Sequence, residues 1–389
     1  MYYTPWIAPT ETERLLYEAT ARGDWDGQIA ALAAGELYVA VPRAEADGLV
    51  PPTPPAPYRD PATGRPCLPV VTRGGLPPWQ PDWVFERMTL AELAGVWPDD
   101  RWRLAVNPGT PGAAVIEATP LDREAWLEVC AETPRAGAGR LVGLMTGPLH
   151  GPLARGLACG APSAVRDGVP WNELGAVHRD YQQDRAELWE TWGVNDPVSW
   201  RQLTERLLSG AGAGREAEFA LRAREGLSEH ASGKAPTAEE WRDAVRRVLL
   251  HRAASDGDTE AFTSAVDRIL ACEERLRADA VLPPGGRVAS AAAFDHGCAV
   301  LLARLGLAAR LCAPADAEYL VVSAGERARA AYGSWQEFAA GFLLGLALRE
   351  RERNDPRGGQ RDARYASALA AHRVLTADAA SPWANIPWT

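Results

Sequence analysis

Apolar positions follow two different rhythms along this chain. From about residue 152 onward they recur every three or four residues, the spacing that lines one side of an α-helix. The clearest blocks lie between Ser290 and Leu346. Phe294, Cys298, Leu301, Leu302, Leu305, Ala309 and Cys312 predict one helix. After a polar break, Trp335, Phe338, Phe342, Leu343 and Leu346 predict a second. Asp295 lies seven residues before Leu302, about 20° from the apolar stripe. Gly341 and Gly345, one turn apart, leave room for another element to approach the second helix closely.

Further helices are expected around this pair. They run from Leu153 to Ala161, from about Val177 to Trp192, from Asp196–Pro197 with Trp200, Leu203, Leu207 and Leu208 inward, and up to about Glu229. Thr237 and Glu240 form a capping box ahead of Trp241, Val245, Val248 and Leu249. Another helix is expected to begin at Asp258. N-D-P-R-G-G-Q-R-D (354–362) reads as a charged loop before a short helix and the tail S-P-W-A-N-I-P-W (381–388).

Nearer the start the rhythm changes. Thr10 with Glu13 is a capping box for a helix to about Arg22, and Trp25 to Ala34 is a second short helix. E-L-Y-V-A-V (36–41), L-P-V-V-T (68–72), V-F-E-R-M (84–88), W-R-L-A-V-N (102–107) and A-V-I-E-A (114–118) read as strands, with T-L-A-E-L-A-G-V-W (89–97) as a helix. P-P-T-P-P-A-P (51–57) cannot be helix or a central strand because proline lacks a donor, so it is a surface loop or a stiff extended excursion. N-P-G-T-P (107–111) terminates a strand, since Asn and Gly accept turn conformations and Pro fixes φ. The expected fold is α+β: an N-terminal α/β domain with a mixed sheet (1–132), a Gly/Pro-rich linker (133–151) with a short strand at Leu141–Leu144, and a mostly all-α domain (152–389).

Composition narrows the function. At 389 residues the chain suggests about two domains. A formal net charge of -10 argues against general nucleic-acid binding. Lys234 is the single lysine, so nearly every cation is arginine; with the Ala and Gly excess this points to a GC-rich, actinobacterial type of genome. No apolar run approaches the roughly 20 residues of a membrane span, and the start lacks a signal-peptide layout. Six scattered cysteines without a C-x-x-C pair fit a reduced, cytoplasmic protein.

Two resemblances follow from these motifs. E-L-Y-V-A-V, C-L-P-V-V-T, T-L-A-E-L and W-R-L-A-V-N-P-G-T-P-G, in that order, resemble the N-terminal domain of the SseB family over about residues 10–131. That family's history, as a secretion component and a serine-sensitivity protein, implies no reaction. W-N-E-L (171–174), L-W-E-T-W-G-V (188–194), A-F-D-H-G-C-A-V-L-L-A-R-L-G (293–306), Y-G-S-W-Q-E-F (332–338), F-L-L-G (342–345) and the closing S-P-W-A-N-I-P-W resemble the domain-of-unknown-function 1266 family over about 152–388. That pattern usually has arginine where this chain has Cys298, and Gly-Arg where it has Gly345–Leu346. If those arginines form a polar site with Asp295, that site is damaged here. The resemblance implies no activity.

Candidate chemistry is sparse, and no catalytic residue is assigned. His296 and Cys298 point about 200° apart on a helix, so they cannot act as a nucleophile–base pair. No histidine spacing suits zinc, and no nucleotide-binding glycine motif is present, so no metal or cofactor is expected. A ligand site is expected near Asp295, with Arg304, Trp335 and Glu337 as its other members. Asp295 would take a Trp N–H, a Ser hydroxyl such as that of Ser334, or an arginine. Trp383 and Trp388, in a proline-punctuated tail, either dock a partner or fold back onto the bundle. The leading expectation is a non-catalytic adaptor binding another protein. The alternatives are an enzyme or binder of a small anionic ligand near Asp295, and a toxin-neutralising, immunity-like partner suggested by the acidic charge.

Overall fold

The computed structural model describes residues 6–133, 139–175, 180–212, 214–231, 234–352 and 359–389. The fold is α+β, with a mixed six-stranded sheet near the N-terminus and helices beyond it. In order come α1 (Glu11–Arg22), α2 (Trp25–Ala34), β1 (Leu37–Pro42), α3 (Arg43–Ala46), β2 (Tyr58–Arg59), β3 (Pro66–Thr72), β4 (Trp83–Met88), α4 (Leu90–Gly95), β5 (Arg103–Val106), β6 (Ala114–Ile116) and α5 (Pro120–Glu132). The sheet order is β4-β1-β3-β5-β6, with β2 beside the start of β3. β3 and β5 run parallel, and the other pairs are antiparallel. Leu37, Leu68, Val70, Leu104, Val106 and Ile116 bury one face against Leu16, Ile29, Leu32, Leu90, Leu93 and Trp126 of the helices. The period-two pattern of the strands is what aims these residues to one side.

One local expectation changes and one is extended. Thr10 makes no side-chain cap bond on α1. Glu13 turns inward instead and is 2% exposed. It accepts from the Gly74 N–H at 2.9 Å and from the hydroxyls of Thr10 and Thr72. A buried carboxylate needs such donors, and this one ties α1 to the end of β3. In N-P-G-T-P, Asn107 has φ 48° and Gly109 φ 81°. The Asn107 amide also holds Thr72, accepting its N–H at 2.9 Å and donating to its hydroxyl at 2.8 Å. The turn is structural.

The helical half contains α6 (Gly151–Cys159), α7 (Ala161–Asp167), α8 (Tyr181–Trp192), α9 (Pro197–Leu208), α10 (Arg215–His230), α11 (Ala238–His251), α12 (Asp256–Ala278), α13 (Ala292–Ala308), α14 (Pro314–Ala331), α15 (Trp335–Glu352), α16 (Gly359–Ala377) and α17 (Pro382–Asn385). The expected caps at Asp196 and Thr237 are present. α12 starts earlier than expected, behind a Ser255 cap. Around 141–144 there is only an isolated bridge, Val142 to Pro170. The expected helix start at Val177 and the first part of the 354–362 loop lie outside the described residues, as do residues 134–138 of the linker; from Gly359 the chain is already helix.

The largest correction is the polar break after α13, which is itself the 18-residue helix α14. Its buried face is Ala317, Leu320, Val321, Ala324, Gly325 and Ala328. Small residues carry little hydrophobic signal but allow close approach. A Cβ on Gly156 of α6 would meet the backbone of Val321, and one on Gly325 would lie 2.9 Å from the Gly156 Cα. α13 is thereby surrounded by α6, α7, α8, α9, α14 and α15. It is buried on nearly every side, which is why its apolar positions exceed a single stripe. Gly341 and Gly345 pack α15 against the segment entering α13; a Cβ at Gly341 would sit 2.7 Å from the Ser290 carbonyl.

The sheet and the helices meet through polar contacts. The Trp79 indole donates to the Leu307 carbonyl at 3.0 Å, and Arg310 donates to the Trp83 carbonyl at 2.5 Å. The Tyr181 hydroxyl donates to Asp47 at 2.6 Å. Among the described residues no helix is long and apolar enough to cross a membrane.

Candidate functional site

The four residues expected to form one site are separated by the fold. Asp295 is fully buried and accepts from the Gly212 N–H at 2.8 Å. It therefore pins the α9–α10 connection. Arg304, 2% exposed, donates to the Pro170 carbonyl at 2.6 Å. Burial pulls its pKa down to about 10 against the opposing charge of Glu173, whose own carboxyl is raised by burial and lowered by Arg73 and Arg304. Arg73, from just after β3, lies 3.8 Å from Glu173 and 2.6 Å from Glu36, so this network joins the two halves of the molecule. Glu337 is exposed and accepts from the Gly333 N–H at 2.8 Å, capping the start of α15.

Trp335 belongs to a different structure, with the tail. Its ring stacks on Trp383 at 5.9 Å and 15°, and meets Trp388 edge-on at 4.7 Å. Each indole N–H has a carbonyl: Trp335 to Ile386 at 2.8 Å, Trp383 to Ala158 at 3.1 Å, and Trp388 to Tyr332 at 2.7 Å. The tail is folded back onto the bundle. Both tail tryptophans are packed and hydrogen-bonded in this structure.

A cleft opens on another side of α13. Phe294, Cys298 and Leu301, spaced by four and three, form one wall; Phe342, Leu346 and Arg349 of α15, at the same spacing, form the next. α7 supplies Arg166 and Asp167, α8 supplies Glu187 and Trp192, and α16 supplies Arg364. Its volume is about 450 Å3. Phe294 and Phe342 meet edge-to-face at 5.3 Å. The Arg349 guanidinium carbon lies 5.2 Å from the Trp192 ring centre and 5.9 Å from that of Phe294. Arg166 is engaged by Asp167, with N–O distances of 2.8 and 2.9 Å. Two donors differ from these: Arg349 Nη1 and Trp192 Nε1 are both buried without a hydrogen-bond partner. Leaving a buried donor unmatched costs about 1–3 kcal/mol.

This cleft was not foreseen as a unit, because its residues come from five helices spread over some two hundred positions. Asp295 is not part of it. On a helix, Asp295 is turned about 100° from Phe294 and about 60° from Cys298, which carries it to the α9 side with Leu302. The available signal was the pair of departures, Cys298 and Leu346, which line the same cleft. Arginines from α7, α15 and α16 line the same space.

His296, 4% exposed, faces elsewhere, and burial together with the charge of Arg327 lowers its pKa to about 4. Among the described residues no group of three or more His, Cys, Asp or Glu side chains is placed to hold a metal ion.

No curated protein and no solved structure matches the sequence. One family model does, described as a protein of unknown function, DUF1266, over residues 187–388. That span opens within α8, later than the resemblance from 152, and contains the α8, α13, α15 and α16 walls of the cleft. It covers slightly more than half of the 389 residues, and the chain belongs to the DUF1266 family.

Proposed function

We propose that the chain is a binding protein for a small organic anion with a flat apolar body, held in the cleft between α7, α8, α13, α15 and α16. The observation that carries this reading is the pair of buried N–H groups without acceptors, on Arg349 and Trp192, beside an aromatic-walled cavity. A carboxylate would satisfy both donors, and a ring would lie against Phe294, Phe342 and Leu301. Such sites are concave, mostly apolar and carry a few convergent polar groups. This favours the anion-binding alternative over the adaptor and immunity-like readings, and moves the site from Asp295 to the neighbouring flank of α13.

The test is thermal shift and calorimetry with a panel of aryl carboxylates and their neutral amides. Carboxylates are expected to raise the melting temperature and the amides to leave it unchanged. At a hundredfold excess over Kd a bound ligand adds about 2.7 kcal/mol. Arg349→Gln is expected to abolish the shift. A response that survives Arg349→Gln, or silence from every carboxylate, would overturn the reading.

Finer assignments are part of the same proposal. The SseB-like character of the sheet region is supported by its motif order and its N-P-G turn. A reduced, cytoplasmic setting is supported by six cysteines, none of them in a disulfide among the described residues.

A further inference from the structure

We infer that the split between β1 and β3 is a docking slot for an extended peptide of apolar and basic side chains. The β1–β3 ladder contains only Leu37↔Thr72 and Tyr38↔Val71, although both strands continue. The reason lies in β3. Asn107 N–H donates to the Val70 carbonyl at 2.9 Å, so Val70 faces β5. With a period of two, Val71 and Pro69 face β1. Pro69 has no N–H to offer, and the ladder ends there.

The same alternation turns Val39 and Val41 toward β4 and leaves the Ala40 N–H and C=O facing the gap. Ala40 is exposed. The gap is a cavity of about 570 Å3 with Tyr38, Val71 and Phe85 among its lining and Pro54 and Pro55 as its lip. The lip is held: Glu45 accepts from the Thr53 N–H at 3.1 Å and from its hydroxyl at 2.6 Å. A wall of prolines pinned in this way cannot slide in to pair with β1. Strand addition supplies the complement that the slot lacks, with main-chain hydrogen bonds for affinity and alternate side chains for specificity. Among the described residues Glu45 is the single charged side chain lining the slot, and the chain carries a net charge of -10, so a basic peptide is favoured over an acidic one.

The probe is a terminally blocked, fluorescein-labelled octapeptide alternating valine with threonine and lysine, read by anisotropy. Saturable binding is expected, weaker when glutamate replaces lysine and absent when alternate amides are N-methylated. The Ala40 amide should exchange rapidly in the free protein and become protected by the peptide. Ala40→Pro removes only the slot-facing donor and should abolish binding with the melting temperature kept; Ala56→Trp, which narrows the slot from the lip, serves if that variant fails to fold. Equal binding of the N-methylated peptide, a slowly exchanging Ala40 amide in the free protein, or no binding up to about 1 mM would overturn the inference. So would a concentration-dependent dimer abolished by Ala40→Pro, which would make a second copy the occupant.

Discussion

Two aromatic clusters flank the α13–α15 core, and they differ in one respect. At the tail, Trp335, Trp383 and Trp388 all donate to backbone carbonyls. In the cleft, Trp192 and Arg349 pack against each other but keep buried donors without acceptors. Similar side chains thus finish a fold in one place and leave it incomplete in the other. Tryptophan count and spacing do not distinguish these cases; hydrogen-bond accounting does.

The strongest way to break that comparison is Trp335→Ala. Trp335 is 5% exposed and holds both tail rings. Large-to-small truncation of a buried aromatic costs about 3–5 kcal/mol, and the tail should become protease-sensitive. Urea denaturation with limited proteolysis checks this. A loss below about 1 kcal/mol would mean that the tail cluster is as unfinished as the cleft.

Next in size is a pH effect from α13 itself. His296 has its folded pKa lowered to about 4 from 6.5 by burial and Arg327. Between those values the unfolded chain binds the proton and the native one does not, so stability rises with pH there and is lost as pH falls from about 6.5 toward 4. At 1.36 kcal/mol per unit the full effect is about 3 kcal/mol. His296→Gln should flatten this limb of the stability profile. A wild-type profile already flat from pH 7 to 4.5 would show the imidazole to be solvated.

Asp295→Ala is expected to cost about 1–3 kcal/mol, because it orphans the Gly212 N–H. Asp295→Asn keeps an acceptor and should recover part of the loss. Neither should alter aryl carboxylate binding, since Asp295 lies off the cleft. If both abolish it, the site belongs where the sequence first placed it.

Much of the fold was legible because its signals are local. The strands of residues 37–116 and the caps at Asp196 and Thr237 are written in alternation and in short-range polar pairs. α14 was hidden because Ala317, Ala324, Gly325 and Ala328 bury their face through closeness instead of size. The candidate site was hidden for another reason. Asp295 stood out as a carboxylate beside an apolar stripe, but α13 is buried on nearly every side, so nearness to a stripe could not say which neighbour it faces. Cys298 and Leu346 come together in the proposed cleft only once α13 and α15 are side by side.

The smallest effect tests the comparison most directly. Trp388→Phe removes an N–H that donates to the Tyr332 carbonyl at 2.7 Å, and should cost about 1 kcal/mol. Trp192→Phe removes an N–H that has no acceptor, keeps a ring face for Arg349, and should change stability by no more than about 0.5 kcal/mol. The order should reverse in binding: Trp192→Phe should weaken an aryl carboxylate several-fold, and Trp388→Phe should leave it untouched. Equal stability losses from the two variants would show that Trp192 already has its acceptor, and the case for an anion in the cleft would then rest on Arg349 alone.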